Sequence, residues 1–441
     1  MPRLAIVEYT MSAGGVERVL RGLARAFLEI PEARGWDITF LLSRYNSAHR
    51  RCEWPTDLTG PNVHVEWLGE KTALGRLLDP LAHGQGLWDL PLSKVGGMVG
   101  ARLLRRLGPL AWRAHLGDPC ALIAEATRRF DLLYFTYPVL MGAPPAGVPV
   151  VTTPQDFNFR HFLPESDPTR RQHEVATRNW LSRSSRILFS TEAVRDELRR
   201  FYPEFDARAQ VVHLGVDTSE PPPDPAAVAE VRGRRRLPEA FALCVGWVLP
   251  HKNQLALVEA AVKLRERGLH LPVVFVGPNA TSILRARETG FREEYPARVR
   301  SALDEAGLEH GRDFLALGYV TDAEIRCLYR LATVFVLPSL YEGFGLPSLE
   351  ALLAGCPTIM SSIPPLEEQN RVLGGGIPTF DPLQPAALAS RIEWVLTHRD
   401  EARSAARVAG ERVAREYDWQ KTARAYLATF EEVISSAGKL R

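Results

Sequence analysis

The sequence predicts an α/β protein made of two doubly wound domains that face each other. Short apolar runs alternate with helical periodicity from the first residues onward. The alternation halts at a proline-rich stretch, residues 218–225 (TSEPPPDP), which reads as a stiff linker. It then restarts with a second α/β half of similar size. A length of 441 residues allows two or three domains.

Residues 4–7 (LAIV) read as a buried strand. A turn with Gly14 and Gly15 follows, and then Val16, Val19, Leu20, Leu23 and Phe27 recur at helical spacing. Residues 38–42 are the next strand, so the opening is strand, glycine turn, helix, strand, which implies a parallel sheet. Residues 45–130 are irregular and hard to place. Strands return at 132–135, 148–151, 187–190 and 211–213, with Thr191 placed to cap a helix. Beyond the linker, 241–245, 273–276 and 334–337 read as strands and 254–263 as a helix, and Thr321-Asp-Ala-Glu324 is a capping box. There is no short-period repeat and no low-complexity tract.

Composition narrows the partners. With 54 basic and 52 acidic residues the formal net charge is +2, which argues against a nucleic-acid partner. The five cysteines, Cys52, Cys120, Cys244, Cys327 and Cys356, are odd in number, far apart and free of metal-ligand spacing. They fit buried thiols in a reduced, cytoplasmic compartment. MPRLAIVEYTMSAGG does not read as a signal peptide, and no run of about 20 apolar residues is present to span a membrane.

Residues 336–359 (VLPSLYEGFGLPSLEALLAGCPTI) carry the most chemistry. The apolar strand leads into Gly343 and Gly345, which relax the backbone, and Pro347 suits the first turn of a helix over 348–354. Gly355 and Pro357 end that helix before a strand at 358–360. The loop therefore lies at the carboxyl end of a strand and the amino end of a helix, where open α/β sheets bind ligands. Helix-start amides favour a diphosphate, and the carboxylates of Glu342 and Glu350 can accept hydrogen bonds from sugar hydroxyls. Together they suggest a nucleotide-sugar site; the bland alternative is a strand-to-helix turn carrying two solvated acids.

The stretch from Pro338 to Ala351 resembles the signature of glycosyltransferase family 4, the retaining nucleotide-sugar transferases of GT-B fold, with its two glutamates separated by seven residues. The resemblance implies two facing Rossmann-like domains with a cleft between them: an acceptor-side domain over 1–217, a donor domain over 218–415, and a C-terminal helix, 416–441, that crosses back to the first domain. Tyr417-Asp-Trp419 resembles the start of that helix. Carried onto this sequence, Glu350 holds the donor ribose, Glu342 faces the donor sugar and reaction centre, and the backbone of Gly343, Phe344, Gly345 and Leu346 lines the sugar diphosphate. The Gly14-Gly15-Val16-Glu17-Arg18 stretch resembles the family's N-terminal glycine loop, and Gly318-Tyr319-Val320 the segment whose backbone holds the nucleobase.

Residues 245–253 (VGWVLPHKN) resemble the family's loop of leaving-group cations, with Gly246 at the strand end and Lys252 on the phosphate-binding lysine. Trp247 and His251 stand where many relatives have arginine, so the second cation is left unassigned; Arg18 is one candidate and His251 serves only if protonated. Asp156 matches the aspartate of a His-Asp pair in which Gln155 replaces the histidine. Nearby, His161 reads as structural or as a direct participant. No Asp-x-Asp motif stands out, so no metal and no cofactor are expected.

The expected partners are a nucleotide-diphosphate sugar and a glycan or lipid-linked acceptor. Residues 155–202 look most like bacterial enzymes that build surface polysaccharides, several of which use GDP-mannose. Between Asp89 and Asp118 there is no acidic residue, and Arg102, Arg105, Arg106 and Arg113 share one side of a helical wheel. That segment reads as a solvated face or as a contact with anionic membrane at the inner face of the plasma membrane. Two further function classes stay open: another GT-B enzyme such as a nucleotide-sugar epimerase or a phosphorylase, and a non-catalytic nucleotide-sugar binding protein.

Overall fold

The structure, a computed structural model, describes residues 1–8, 15–43, 54–68, 128–136, 146–285 and 294–438. The chain divides into two compact units, Met1–Gly215 with Trp419–Arg441, and Val216–Asp418. Each is a doubly wound parallel α/β domain.

In the first unit the described strands are β1 (Arg3–Glu8), β2 (Asp37–Ser43), β3 (Val63–Leu68), β4 (Leu132–Phe135), β5 (Val150–Thr152), β6 (Arg186–Phe189) and β7 (Ala209–Val211). They form one parallel sheet in the order β3-β2-β1-β4-β5-β6-β7. The described helices are α1 (Gly15–Glu29), α2 (Asn158–Phe162), α3 (Pro168–Arg183) and α4 (Glu192–Phe201). Leu4 to Val7 in β1 are fully buried, as a parallel strand covered on both faces requires. Thr191 caps α4 by accepting the Val194 amide.

The second unit has α5 (Pro225–Arg235), β8 (Ala242–Val245), α6 (Gln254–Glu266), β9 (Val273–Val276), α7 (Glu294–Glu305), β10 (Phe314–Leu317), α8 (Asp322–Leu331) and β11 (Val334–Leu337). α9 (Leu346–Leu353), β12 (Thr358–Ser361), α10 (Pro364–Val372), β13 (Thr379–Phe380), α11 (Pro385–Thr397) and α12 (Arg399–Glu416) complete it. Its parallel sheet runs β10-β9-β8-β11-β12-β13. Strand order reverses between β8 and β11, so the loops after these two strands flank the crevice of the sheet. All four residues of β11 are buried. The Thr321 capping box is present, with the Thr321 hydroxyl accepting the Glu324 amide and the Glu324 carboxylate accepting the Thr321 amide.

Several boundaries differ from the sequence reading. β5 starts at Val150 because Pro149 has no N–H to pair. β7 starts at Ala209, two residues early, where Ala209 pairs with Ile187. Within the stretch read as irregular, Val63–Leu68 forms the edge strand β3, and it is only partly buried past Val63. Polar residues His64 and Glu66 alternate through it, which hides the strand from an apolar-run criterion. Pro225 belongs to α5, capped by Asp224, rather than to the linker. The basic segment between Asp89 and Asp118, with Arg102, Arg105, Arg106 and Arg113, lies outside the described residues, as do Cys52 and Cys120. Cys244, Cys327 and Cys356 are free and buried. Among the described residues no helix is long and apolar enough to cross a membrane.

The last helix, α13 (Trp419–Gly438), belongs to the first unit. Two glycines admit the ring of Trp419: a Cβ on Gly22 of α1 would lie 2.1 Å from Trp419 Cε2, and one on Gly215 would lie 2.4 Å from the Trp419 amide nitrogen. Farther along, Tyr426 and Phe430 pack against Tyr134 of β4 with ring centroids 5.4 Å apart in each case. Gly22→Ala should therefore push α13 off α1 and lower stability by about 1–3 kcal/mol, the usual penalty for overpacking. Urea denaturation of the variant checks this; an unchanged midpoint would mean that Trp419 swings away without loss.

Candidate functional site

The loop after β8 begins at Gly246, whose φ of 148° few side chains tolerate. Its carbonyl oxygen stands where a Cβ on Gly277 would be, 2.0 Å away, so the β8 and β9 loops touch only because Gly277 has no side chain. From there the loop is tied down by amides. Asn279 accepts the Val248 N–H at 2.8 Å and donates to the Val248 carbonyl at 3.1 Å. Gln254 donates to the Trp247 carbonyl. Asn253, held at φ 54°, donates to the carbonyls of Pro338 and Pro382. The Leu340 amide closes the circuit by donating to the His251 carbonyl at 2.8 Å.

These ties bring the β8 and β11 loops side by side and put Lys252 against Glu342. Lys252 Nζ donates to both carboxylate oxygens of Glu342 at 2.8 Å. Ser339, fully buried, donates to Glu342 Oε1 at 2.7 Å. Glu342 is 7% exposed, so its charge is paired and hydrogen-bonded rather than solvated, and the bland reading of this acid fails.

The second acid is held separately. Glu350 lies on α9 and accepts from the buried Tyr329 hydroxyl of α8 at 3.0 Å. Between the two acids the turn is fixed by its carbonyls. Gln369 of α10 donates to the Phe344 carbonyl at 2.6 Å, and Ser348 donates to that of Gly345. Gly345 sits at φ 91° as the residue before α9, and a Cβ there would meet Leu366 at 2.6 Å. The side chains of Phe344 and Leu346 are buried, which leaves their backbone to line the loop at the positive end of α9.

Other expected residues are placed as follows. Tyr319 and Val320 lie in the loop after β10, with Tyr319 exposed. Gly15 is the first residue of α1, and Gly14 lies outside the described residues. Asp156 precedes α2 and accepts the Asn158 amide at 3.0 Å. Gln155 donates to the Thr136 carbonyl at 2.6 Å. His161 pairs with Glu197 at 2.6 Å, which favours the structural reading of that histidine. Gly15, Gln155, Asp156 and His161 belong to the first unit, Tyr319 and Val320 to the second. Asn253, Asn279, Ser339, Tyr329 and Gln369 were not anticipated. Ser339 bonds Glu342 three residues on within the same loop; the others bond partners at least 21 positions away, which no local spacing signals.

His251 is pushed down to about 4, first by burial and next by the Lys252 charge, against the pull of Glu342. It is neutral at pH 7 and supplies no second cation here. Cys244, buried in β8, is pushed up to about 12 by burial and stays a thiol.

Residues 13–220 match Glycosyltransferase Family 4, and residues 230–412 match Glycosyl transferases group 1. The chain belongs to the family 4, group 1 glycosyltransferases. This glycosyltransferase is 29% identical over 274 residues to O-antigen chain mannosyltransferase B of Escherichia coli, covering 61% of its own chain and 67% of that protein. It is 27% identical over 404 residues to D-inositol 3-phosphate glycosyltransferase of Salinispora tropica, covering 86% and 82%. HepE of Anabaena, solved in complex with UDP and glucose, superposes with a TM-score of 0.68 over 98% of this chain and 100% of that one, at 16% identity. That likeness shows the GT-B type of fold.

The His251 value sets a pH dependence. Because the folded state holds the proton less tightly than the unfolded chain, stability from a neutral His251 is whole above about pH 6.5 and is lost as pH falls toward about 4. His251→Phe should flatten the fall in melting temperature over that window. Parallel profiles for the two proteins would assign the fall to other groups.

Proposed function

We propose that the protein is a retaining glycosyltransferase that moves a hexose from a nucleotide-diphosphate sugar to a glycan or lipid-linked acceptor. The observation that carries this reading is the Lys252–Glu342 pair at the strand-order reversal, beside the amino end of α9. In this reading the diphosphate rests on the backbone of Gly343 to Leu346 and on Lys252. The ammonium has three donors and Glu342 takes at most two, so one is left for a phosphate oxygen. Tyr329 orients Glu350 toward the ribose hydroxyls, and the backbone at Tyr319 and Val320 holds the base.

Transfer then breaks the bond between the sugar's anomeric carbon and the phosphate oxygen. A bond from the acceptor oxygen forms on the same face, and the acceptor's proton goes to the leaving phosphate. Lys252 stabilises the charge that grows there, and Glu342 both fixes the lysine and faces the sugar. Asp156 and Gly15 of the first unit are proposed on the acceptor side; the hydrogen bond from the Asn158 amide would orient Asp156. We place the work at the cytoplasmic side, without a metal.

The relatives support a sugar of the mannose kind, since the O-antigen chain mannosyltransferase of Escherichia coli is among them. Surface-polysaccharide synthesis is the matching role. A non-catalytic sugar-nucleotide binder would use the same lysine and acids, and it predicts binding without turnover.

Lys252→Ala should cut turnover by about two to three orders of magnitude, the usual effect of removing one electrostatic contact to a transition state. Near-normal turnover in that variant, with donor and acceptor supplied, would sink the assignment. Activity should survive EDTA in full; its loss, restored by Mg²⁺ or Mn²⁺, would overturn metal independence. A thermal-shift panel of UDP-, GDP-, ADP- and TDP-sugars should stabilise the folded chain with one nucleotide class. GDP-mannose is the expected responder, and a shift with another class alone would replace the mannosyl reading.

A further inference from the structure

The end of the second sheet opposite the donor loops carries a different concentration of charge. A cavity of about 360 Å³ lies under the amino ends of β8, β11 and β12, bordered by Thr333 and roofed by helices. Four of its lining residues are arginines, Arg232, Arg330, Arg399 and Arg403, and a single acid, Glu239, lines it with them. The volume lies within the usual range for small-molecule pockets, about 300–1,000 Å³.

Neighbouring arginines show what an available carboxylate does with such a group. Arg234 and Arg235, on the same helix as Arg232, both bond Glu324. Among the described residues, the side chains of Arg232, Arg330, Arg399 and Arg403 form no ion pair, and their one hydrogen bond is the 3.4 Å contact from Arg403 to the Ala332 carbonyl. Helix dipoles explain only half of the arrangement. Arg232 and Arg330 stand in the last turns of α5 and α8, where a cation is favoured. Arg399 is the first residue of α12, where the helix dipole opposes a positive charge and Asp400 and Glu401 complement it, and Arg403 follows one turn later. Four guanidinium groups around one cavity, three of them exposed and with one lining carboxylate to offset them, repel one another weakly through water, and an anion that joins them turns that repulsion into attraction.

We propose that this cavity binds a multiply charged phosphate, a phosphomonoester or diphosphate, at a site separate from the donor loops. Planar guanidinium groups match phosphate oxygens two bonds at a time, and a cavity of this size holds a phosphate with a small organic group attached. The Thr333 hydroxyl accepts the Phe241 amide at 3.2 Å and keeps its O–H to donate, so it can supplement the arginines. The inference does not rest on the proposed transfer reaction. A soluble phosphate ester and a lipid phosphate headgroup share this chemistry.

The test is calorimetric titration of the full chain with pyrophosphate, in a Lys252→Ala background that removes the lysine assigned to the donor site. Pyrophosphate should bind with a stoichiometry near one, more weakly as salt is raised. Arg330→Glu with Arg399→Glu should weaken it by at least about tenfold, while Glu239→Gln should tighten it. Circular dichroism melting of each variant guards against misfolding, and Arg399→Gln replaces the double reversal if that protein does not fold. In parallel, co-sedimentation with phosphatidylcholine vesicles containing phosphatidic acid separates the two sources. Pyrophosphate binding that depends on the arginines establishes the soluble form, and vesicle binding alone, lost on charge reversal, establishes the headgroup. Failure to bind either probe, or binding indifferent to the arginine and Glu239 substitutions, overturns the proposal.

Discussion

The ion pair between Lys252 and Glu342 joins residues 90 positions apart, and most of the second unit's site is arranged around it. A lysine on one loop and a buried carboxylate on another would each be costly alone. Paired, they fix the separation of the two loops, and Ser339 fixes the carboxylate. The pair can form because β8 and β11 are neighbours in the sheet, which sets their following loops side by side. Asn253, Asn279 and Gln254 hold the β8 loop in the shape that presents the lysine.

The same unit shows how one parallel sheet produces two differently charged ends. At the carboxyl ends of the strands, a helix start and a glycine turn present amides, and the single lysine is matched by an acid. The amino ends have no such turn, and charge there comes from side chains on helix termini: α5 and α8 finish and α12 begins around one cavity. In the proposed readings, anion affinity at the first end comes from backbone amides together with Lys252, and at the second from arginine side chains. The amides survive a side-chain change, and the lysine and the guanidinium groups do not.

In the first unit the equivalent reversal of strand order falls between β1 and β4. Glu8, at the end of β1, is buried and accepts from the Thr136 hydroxyl just past β4. Gln155 reaches the Thr136 carbonyl from the next loop. Gln155 thus has a structural task here: its amide nitrogen satisfies a backbone carbonyl of the neighbouring loop.

The sequence by itself determined the fold class and the positions of the central strands, because fully buried parallel strands must be continuous apolar runs. It also determined the two acids, the lysine and the glycine turn, since these depend on residue type at short spacing. The edge strand β3 escaped because its alternating polar residues interrupt the apolar run, although the other edge, β7, was read from its apolar residues. Only the tertiary structure decided that His251 is buried and neutral, that Tyr329 serves Glu350 and that Gln369 serves the turn. It alone also gathered Arg232, Arg330, Arg399 and Arg403, which lie in three separate helices. Burial and long-range hydrogen bonds depend on which surfaces meet after folding, and no local pattern of residues encodes that.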